Sequence, residues 1–173
     1  MLAPDKYAVT ETLSDGQRVE IRALKPDDRT DLLAAAARTS SESLRRRFFV
    51  TKRSFTDQET AFFLNVDFVN HVALVAVVQE AGEPAIVGSG RYILLRPGEA
   101  ELAFAVVDQY QGRGVGRALM RHLTALARAA GLERLIAELL PENRAMLRLL
   151  ERSGLPVTVK READVIHVTL RVT

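Results

Sequence analysis

The stretch that decides the fold is ELAFAVVDQYQGRGVGR, which runs from Glu101 to Arg117. Its first half is apolar and predicts a β-strand, and its second half leads through three glycines into an amphipathic helical pattern. The first backbone N–H groups of a helix have no intrahelical partner, and the helix dipole is positive at that end. A glycine loop in this position can bring these N–H donors within hydrogen-bonding distance of a phosphate, so the stretch predicts an anion-binding site.

The rest of the chain predicts a central sheet around this stretch. Apolar and β-branched runs predict strands at residues 6–13, 18–24, 71–79, 85–95, 100–107, 135–140, 156–160 and 165–172. Helices are expected from residue 26 to 37, at 41–49, from a capping box at 56–59 to residue 64, at 115–130 and from residue 141 to 153. The strands between 71 and 107 form an antiparallel meander. Because a helix separates 100–107 from 135–140, these two strands should run parallel.

The composition limits the classes of protein. The 173 residues fit one domain, 1–173, and a net charge of +2 gives no argument for a nucleic-acid partner. The absence of cysteine excludes disulfides, thiolate metal sites and a cysteine nucleophile, and three scattered histidines predict no metal site. No apolar run approaches the ~20 residues that a membrane span needs, and the first residues do not read as a signal peptide. We therefore expect a cytoplasmic protein with no membrane partner.

The glycine loop fits neither of two better-known phosphate loops. A P-loop would continue with Lys and Ser or Thr, whereas Gly116 is followed by Arg117 and Ala118. A dinucleotide fingerprint needs G-x-G-x-x-G near the start of a βαβ unit, and this loop is G-x-G-x-G deep in the chain. The glycines could serve only a tight turn, but their alternation beside Gln111 and Arg113 favours a binding loop.

Gln111-Gly112-Arg113-Gly114-Val115-Gly116 resembles the Gln/Arg-x-x-Gly-x-Gly/Ala motif of the GNAT superfamily of acyl-CoA-dependent N-acyltransferases. The preceding strand and the later Pro141-Glu142-Asn143-Arg144 resemble their counterparts in the family. The resemblance implies an α+β (α/β) fold in one domain. Its mixed, mostly antiparallel central sheet would have about six to seven strands flanked by helices, with the fourth and fifth strands of the family parallel and splayed.

The resemblance also implies acetyl-CoA as co-substrate, without a metal. Amides of the loop would bind the pyrophosphate, and the pantetheine arm would lie between strands splayed near Val106 and Val107. Asn143 would contact the cofactor or simply cap the helix that follows it. The cofactor-binding residues expected on this basis are Val106, Val107, Gln111, Gly112, Arg113, Gly114, Val115, Gly116, Arg117 and Asn143.

Glu101 is the candidate general base. An ammonium acceptor must lose its proton before it attacks a thioester, and the period of a strand places Glu101 on one face with Ala103 and Ala105. A solvated glutamate at a strand end is the alternative, and His71 is a distant second choice for the base.

The segments 43–49, 66–74 and 101–104 resemble the bacterial Pat-type protein-lysine acetyltransferases, which implies that Glu101 is catalytic. Many GNAT enzymes have a tyrosine acid seven residues after the motif asparagine, where this chain has Leu150.

The function implied by the resemblance is acetyl transfer from acetyl-CoA to an amine, most naturally a protein lysine, with acyl-CoA synthetases as typical substrates of the subfamily. Two alternatives stay open: N-acetylation of a small-molecule amine, and a non-catalytic acyl-CoA-sensing module. We expect the basic and aromatic cluster at 45–49 to border the acceptor cleft. The chain could work as a monomer or a homodimer.

Overall fold

The computed structural model describes residues 3–39 and 57–173. The helix predicted at 41–49, the basic and aromatic cluster at 45–49 and the helix cap predicted at Thr56 lie outside the described residues. The remaining predicted elements fall within the described part of the chain.

Among the described residues, one sheet of eight strands forms the centre of the fold, in the order β1-β2-β3-β4-β5-β6-β8-β7. Every neighbouring pair is antiparallel except β5 and β6, which run parallel. The strands are β1 (Ala8–Thr12), β2 (Arg18–Ala23), β3 (His71–Glu80), β4 (Glu83–Arg96), β5 (Glu99–Val106), β6 (Arg134–Leu139), β7 (Val157–Glu162) and β8 (Val165–Arg171).

This topology confirms the expected mixed, mostly antiparallel sheet with one parallel pair. The sheet has eight strands rather than about six to seven, because a short strand at each edge joins it. At one edge β1 pairs with β2 over five residues, and at the other β7 pairs with β8 over six. Every residue of β7 is exposed, so its place in the sheet depends on backbone pairing rather than on core packing.

Four described helices flank the sheet: α1 (Arg29–Ala37), α2 (Asp57–Leu64), α3 (Val115–Ala129) and α4 (Arg144–Glu151). The glycine predicted to end α3, Gly131, has a φ of 79°, which a left-handed C-terminal residue requires. The last helix begins at Arg144 and not at residue 141, because Asn143 is its N-cap and accepts a bond from the Met146 N–H. None of the described helices is both long and apolar enough to cross a lipid bilayer.

Two glycines of β4 let α3 lie close against the sheet. A Cβ atom on Gly88 would lie 2.9 Å from Val115 Cγ1, and one on Gly90 would lie 2.9 Å from Leu123 Cδ1 and from the Phe104 ring. Real Cβ atoms do not approach carbon so closely, so larger residues at these positions would lift the helix. The close approach fixes the depth of α3 and with it the position of the loop that precedes the helix.

The connection from α2 to β3 is a turn organised by one carboxylate. Asp67 Oδ1 accepts bonds from the backbone N–H groups of Val69, Asn70 and His71, at 2.9, 2.7 and 2.9 Å. These bonds to the ionised form lower the pKa of Asp67 to about 2. The turn fixes the start of β3 and places His71 in the first register row of the β3–β4 pair, beside Ile93.

We expect the turn to give the protein an acid-sensitive contribution to stability. The pKa of Asp67 is lower in the folded protein than in an unfolded chain, so the stabilisation is present above about pH 4 and disappears as the pH falls through about 2. Urea unfolding of the wild type and of Asp67→Ala should therefore differ at about pH 6 and converge near pH 2. Asp67→Asn, which retains an acceptor without the charge, is the control. A difference that stays constant over this range would contradict the assignment.

Candidate active site

The parallel pair at the centre of the sheet separates after a short stretch. Its register consists of three rows, Glu99 with Arg134, Ala100 with Leu135 and Glu101 with Ile136. Beyond the last row β5 continues to Val106 and β6 to Leu139 without further register pairs between the described residues. The expected splay is therefore present, and it begins directly after Glu101 rather than near Val106 and Val107.

A cavity of about 820 Å³ occupies this opening between β5, β6, α3 and α4. Such a volume is within the range of small-molecule and cofactor sites. Eight of the eleven residues expected at the site line it: Glu101, Val106, Gln111, Gly112, Gly114, Gly116, Arg117 and Asn143. Of the other three, Val107 and Val115 are buried in the core, and the Arg113 side chain is bound elsewhere.

The glycine loop has the conformation that an anion cradle needs. Gly112 and Gly114 have φ values of 74° and 97°, and Gly114 is the N-cap of α3. Glycine has no side chain with which to cap the helix, so the N–H groups of the first turn are suited to bind a ligand in the cavity. Gly116 has an ordinary φ, and a Cβ there would meet Leu149 Cδ2 at 3.5 Å, which is normal contact.

The Gln111 side chain makes two hydrogen bonds that hold the glycine loop in place. Its Nε2 group donates to the carbonyl oxygen of Val106 at 3.0 Å and to Asp108 Oδ1 at 3.3 Å. The loop is thereby tied back to the end of β5. The side chain of this motif residue therefore has a structural role in addition to any contact with a ligand.

Arg113 does not direct its side chain at the cavity. Its Nε group donates to Asp15 Oδ2 at 2.8 Å, across to the turn between β1 and β2, and its guanidinium lies 4.5 Å from the Tyr110 ring centre. The sequence predicted Arg113 as a cofactor-binding residue, but this side chain is directed to Asp15 and does not line the cavity.

Tyr110, Glu80 and Arg38 form a cluster beside the loop that was not predicted from the sequence. Tyr110 lines the cavity and donates its O–H to Glu80 Oε2 at 2.7 Å, and Arg38 holds both oxygens of Glu80 at 2.9 Å. These bonds lower the pKa of Glu80. The three residues are separated by 30 and 42 positions along the chain, and no local pattern connects them.

Glu101 lies on the exposed face of β5, as the period-two pattern predicted. Leu102 and Phe104 are buried on the opposite face, while Ala103 and Ala105 share the face of Glu101 and are partly exposed. The cavity is lined by residues of both faces of this stretch. Cross-strand pairing aligns Glu101 with Ile93 and, one strand further, with His71. The carboxylate therefore stands at the last paired row, where the splay opens.

His71 is not placed to act as the base. It is buried, and its Nε2 atom accepts a bond from Arg91 Nη1 at 2.9 Å. Arginine can only donate, so this nitrogen carries no proton and its lone pair is engaged. His71 does not line the cavity.

Positive charge dominates the described lining of the cavity. Its charged side chains are Glu101 and Glu138 on the acidic side and Arg117, Arg121, Arg128, Arg148 and Arg152 on the basic side. Arg148 lies in the last turn of α4 and Arg152 is the C-cap of this helix, and neither was singled out from the sequence. Such a lining favours a ligand with several negative charges. Among residues 3–39 and 57–173, no group of three or more His, Asp or Glu side chains could hold a metal ion.

Leu150 is fully buried in the wall of the cavity and offers no proton donor. Tyr110 is the phenol among the described lining residues, and its hydroxyl is bonded to Glu80. The lining thus provides a carboxylate at the splay without a free tyrosine beside it.

Comparison with known proteins agrees with this geometry. Residues 18–156 match the profile of the family described as Acetyltransferase (GNAT) domain. An acetyltransferase of Pseudomonas aeruginosa is 34% identical over 137 residues, which are 79% of this chain and 74% of the relative. The acetyltransferase Pat of Mycolicibacterium smegmatis is 32% identical over 87% of this chain and 45% of its own length. The crystal structure of the GNAT domain of S. lividans PAT has a TM-score of 0.86 and 32% identity, and the match covers 95% of this chain and 96% of that domain.

Two of the glycines that line the cavity, Gly114 and Gly116, should respond differently to the same substitution. Gly114→Ala forces a β-carbon into the left-handed region, which costs about 1–2 kcal/mol, so we expect roughly tenfold weaker binding of coenzyme A by calorimetry. Gly116→Ala, the matched control, adds a carbon at an ordinary distance and should bind within about threefold of the wild type. Gly116→Leu fills the space beside Leu149 and should abolish binding. Equal affinities for Gly114→Ala and wild type would contradict the cradle.

Proposed function

This chain belongs to the acetyltransferase (GNAT) family, and on that premise we propose that it acetylates the side-chain amine of a protein lysine with Glu101 as general base. Membership makes it an acetyl-CoA-dependent acetyltransferase. The acceptor and the catalytic residues are our proposal. The observation that carries it is the position of Glu101 at the row where the parallel strands separate, within the cavity that also contains the glycine loop.

The fit to acetyl-CoA is supported at both ends of the opening. Loop amides near Gly114 and the arginines of the lining suit the phosphates, and Asn143 keeps its Nδ2 group for a ligand because its oxygen caps α4. The edge of β5 beyond Glu101 has no register partner on β6, so backbone groups there suit the amides of the pantetheine arm. From Glu101 to Val106 the strand covers ~16 Å, which separates the acyl end from the phosphate end.

The proposed reaction is a direct transfer. A lysine ammonium, with a pKa of about 10.4, gives a proton to the Glu101 carboxylate, and the neutral nitrogen attacks the thioester carbonyl carbon. The C–N bond forms as the C–S bond breaks, and the coenzyme leaves as a thiolate. Backbone N–H groups in the splay stabilise the charge that develops on the carbonyl oxygen. Because Leu150 stands where a tyrosine acid would be, water or the product ammonium protonates the thiolate.

Similarity to the Pat relatives favours a protein lysine over a small-molecule amine. These relatives are more than 30% identical, and the match to the S. lividans domain covers nearly its full length. The chain spans 45% of the length of the Mycolicibacterium relative, so the regulation and substrates of that whole protein are not transferred to it. We infer that the acceptor lysine belongs to a cytoplasmic protein.

Replacing Glu101 should slow the chemical step without weakening the binding of acetyl-CoA. Glu101→Gln retains the shape of the side chain but cannot take a proton, so we expect kcat to fall by roughly 10²- to 10⁴-fold while the Kd for acetyl-CoA changes little. Turnover is measured as thiol release, and affinity by calorimetry. Glu138→Gln, the other lining carboxylate, is the matched control and should lose far less activity. Unchanged turnover in Glu101→Gln would rule out its role as base.

The acceptor class can be tested directly. The protein is incubated with acetyl-CoA and a lysate of its own source, and acetylated lysines are mapped by mass spectrometry against a Glu101→Gln reaction. We expect specific lysines that gain acetyl groups only with the wild type. Turnover of small amines with no modified lysine would contradict the protein acceptor. Saturable acetyl-CoA binding without thiol release for any protein or amine would instead indicate a sensing module.

A further inference from the structure

The short turn Asp108–Tyr110 precedes the glycine loop, and each of its residues is hydrogen-bonded to Arg38 or to Glu80. The Asp108 N–H donates to the Arg38 carbonyl at 3.3 Å, and Gln109 Oε1 accepts from Arg38 Nη2 at 2.6 Å. Tyr110 donates its hydroxyl to Glu80, which Arg38 binds with both ends of its guanidinium. Every residue of the turn therefore contacts Arg38 or its carboxylate partner.

Tyr110 is fixed in orientation as well as in position. Its ring is 7% exposed and lies against two guanidinium groups, that of Arg113 at 4.5 Å and that of Arg38 at 5.9 Å. Burial and the Glu80 carboxylate raise the pKa of Tyr110, so the hydroxyl keeps the proton that it donates. Arg113 extends the contact to Asp15 in the turn between β1 and β2.

Glu80 connects this turn to the β3–β4 pair of the sheet. It is the last residue of β3 and lies in register with Glu83 of β4, in a strand pair whose central residues are fully buried. Bonds between Arg and a carboxylate that involve both oxygens are among the strongest and most directional in proteins. The Glu80 carboxylate thus ties the turn before the glycine loop to the sheet.

Arg38 connects Glu80 to a second part of the cavity lining. It is the C-cap of α1, and the following residue, Thr39, lines the cavity. The Glu80–Arg38 pair therefore joins the loop that receives the phosphates to the end of the helix on the other wall.

We propose that Glu80 is a positioning residue for the coenzyme: through Tyr110 and Arg38 it holds the glycine loop at the height where its amides meet the phosphates. The proposal rests on the binding of coenzyme A by that loop, and it adds a residue outside the family motif to the cofactor site. Glu80 does not line the cavity, so it acts through its partners and not by contact with the ligand. Its loss should weaken cofactor affinity and leave the chemical step intact.

The test compares Glu80→Gln and Tyr110→Phe with a matched control from the same hairpin. Glu80→Gln removes the charge that binds Arg38, and Tyr110→Phe removes only the hydroxyl bond. Glu83→Gln makes the same chemical change three residues away, at an exposed position. We expect the Kd for coenzyme A and the KM for acetyl-CoA to rise about tenfold for Glu80→Gln, with kcat within about twofold. The control should match the wild type.

The double variant and thermal unfolding decide whether the role is positioning or only stability. Because both substitutions weaken the same Arg38–Glu80–Tyr110 network, the loss of binding free energy in Glu80→Gln with Tyr110→Phe should be smaller than the sum of the two single losses. A lowered melting temperature with unchanged affinity, or a fall in kcat at unchanged KM, would overturn the proposal. Failure of the wild type to bind coenzyme A would instead overturn the proposed function, so the two failures are distinguishable.

Discussion

The structure depends on an interruption in backbone pairing. A parallel pair in the middle of an eight-stranded sheet has three register rows and then separates, although both strands continue. Backbone donors and acceptors in such a position need partners, because leaving them unpaired away from water costs free energy. The sheet thereby contains an open edge at its centre instead of at its margin, and the cavity, the exposed face of Glu101 and the cofactor fit all follow from it.

The phosphate end of the opening depends on how the loop is held. Positive φ values at Gly112 and Gly114 allow the loop to turn into α3, and the helix dipole of α3 makes the potential at this end positive. These features are local, but their position is set by distant contacts. Gln111 ties the loop to β5, Arg113 ties it to the turn at Asp15, and Glu80 ties the preceding turn to β3.

The sequence was sufficient for the features that depend on neighbouring residues. Alternation along β5 gave the face of Glu101, and the glycines gave the turn into α3, because both follow from the geometry of the chain over a few residues. The row at which β5 leaves β6 could not be read in this way, since register depends on contacts between segments more than 30 residues apart. The same reason explains Arg113, whose carboxylate partner is 98 positions away. For Asn143, helix capping was one of two expected roles and is the one observed.

The two glycines beneath α3 have a thermodynamic consequence. Leu119 and Leu123 pack where side chains of β4 would otherwise stand, so the helix cannot move away from the sheet without exposing core residues to water. The first turn of α3 is therefore expected to unfold together with the sheet, although it borders a surface loop. Heating should leave the phosphate-binding loop formed until the sheet itself melts.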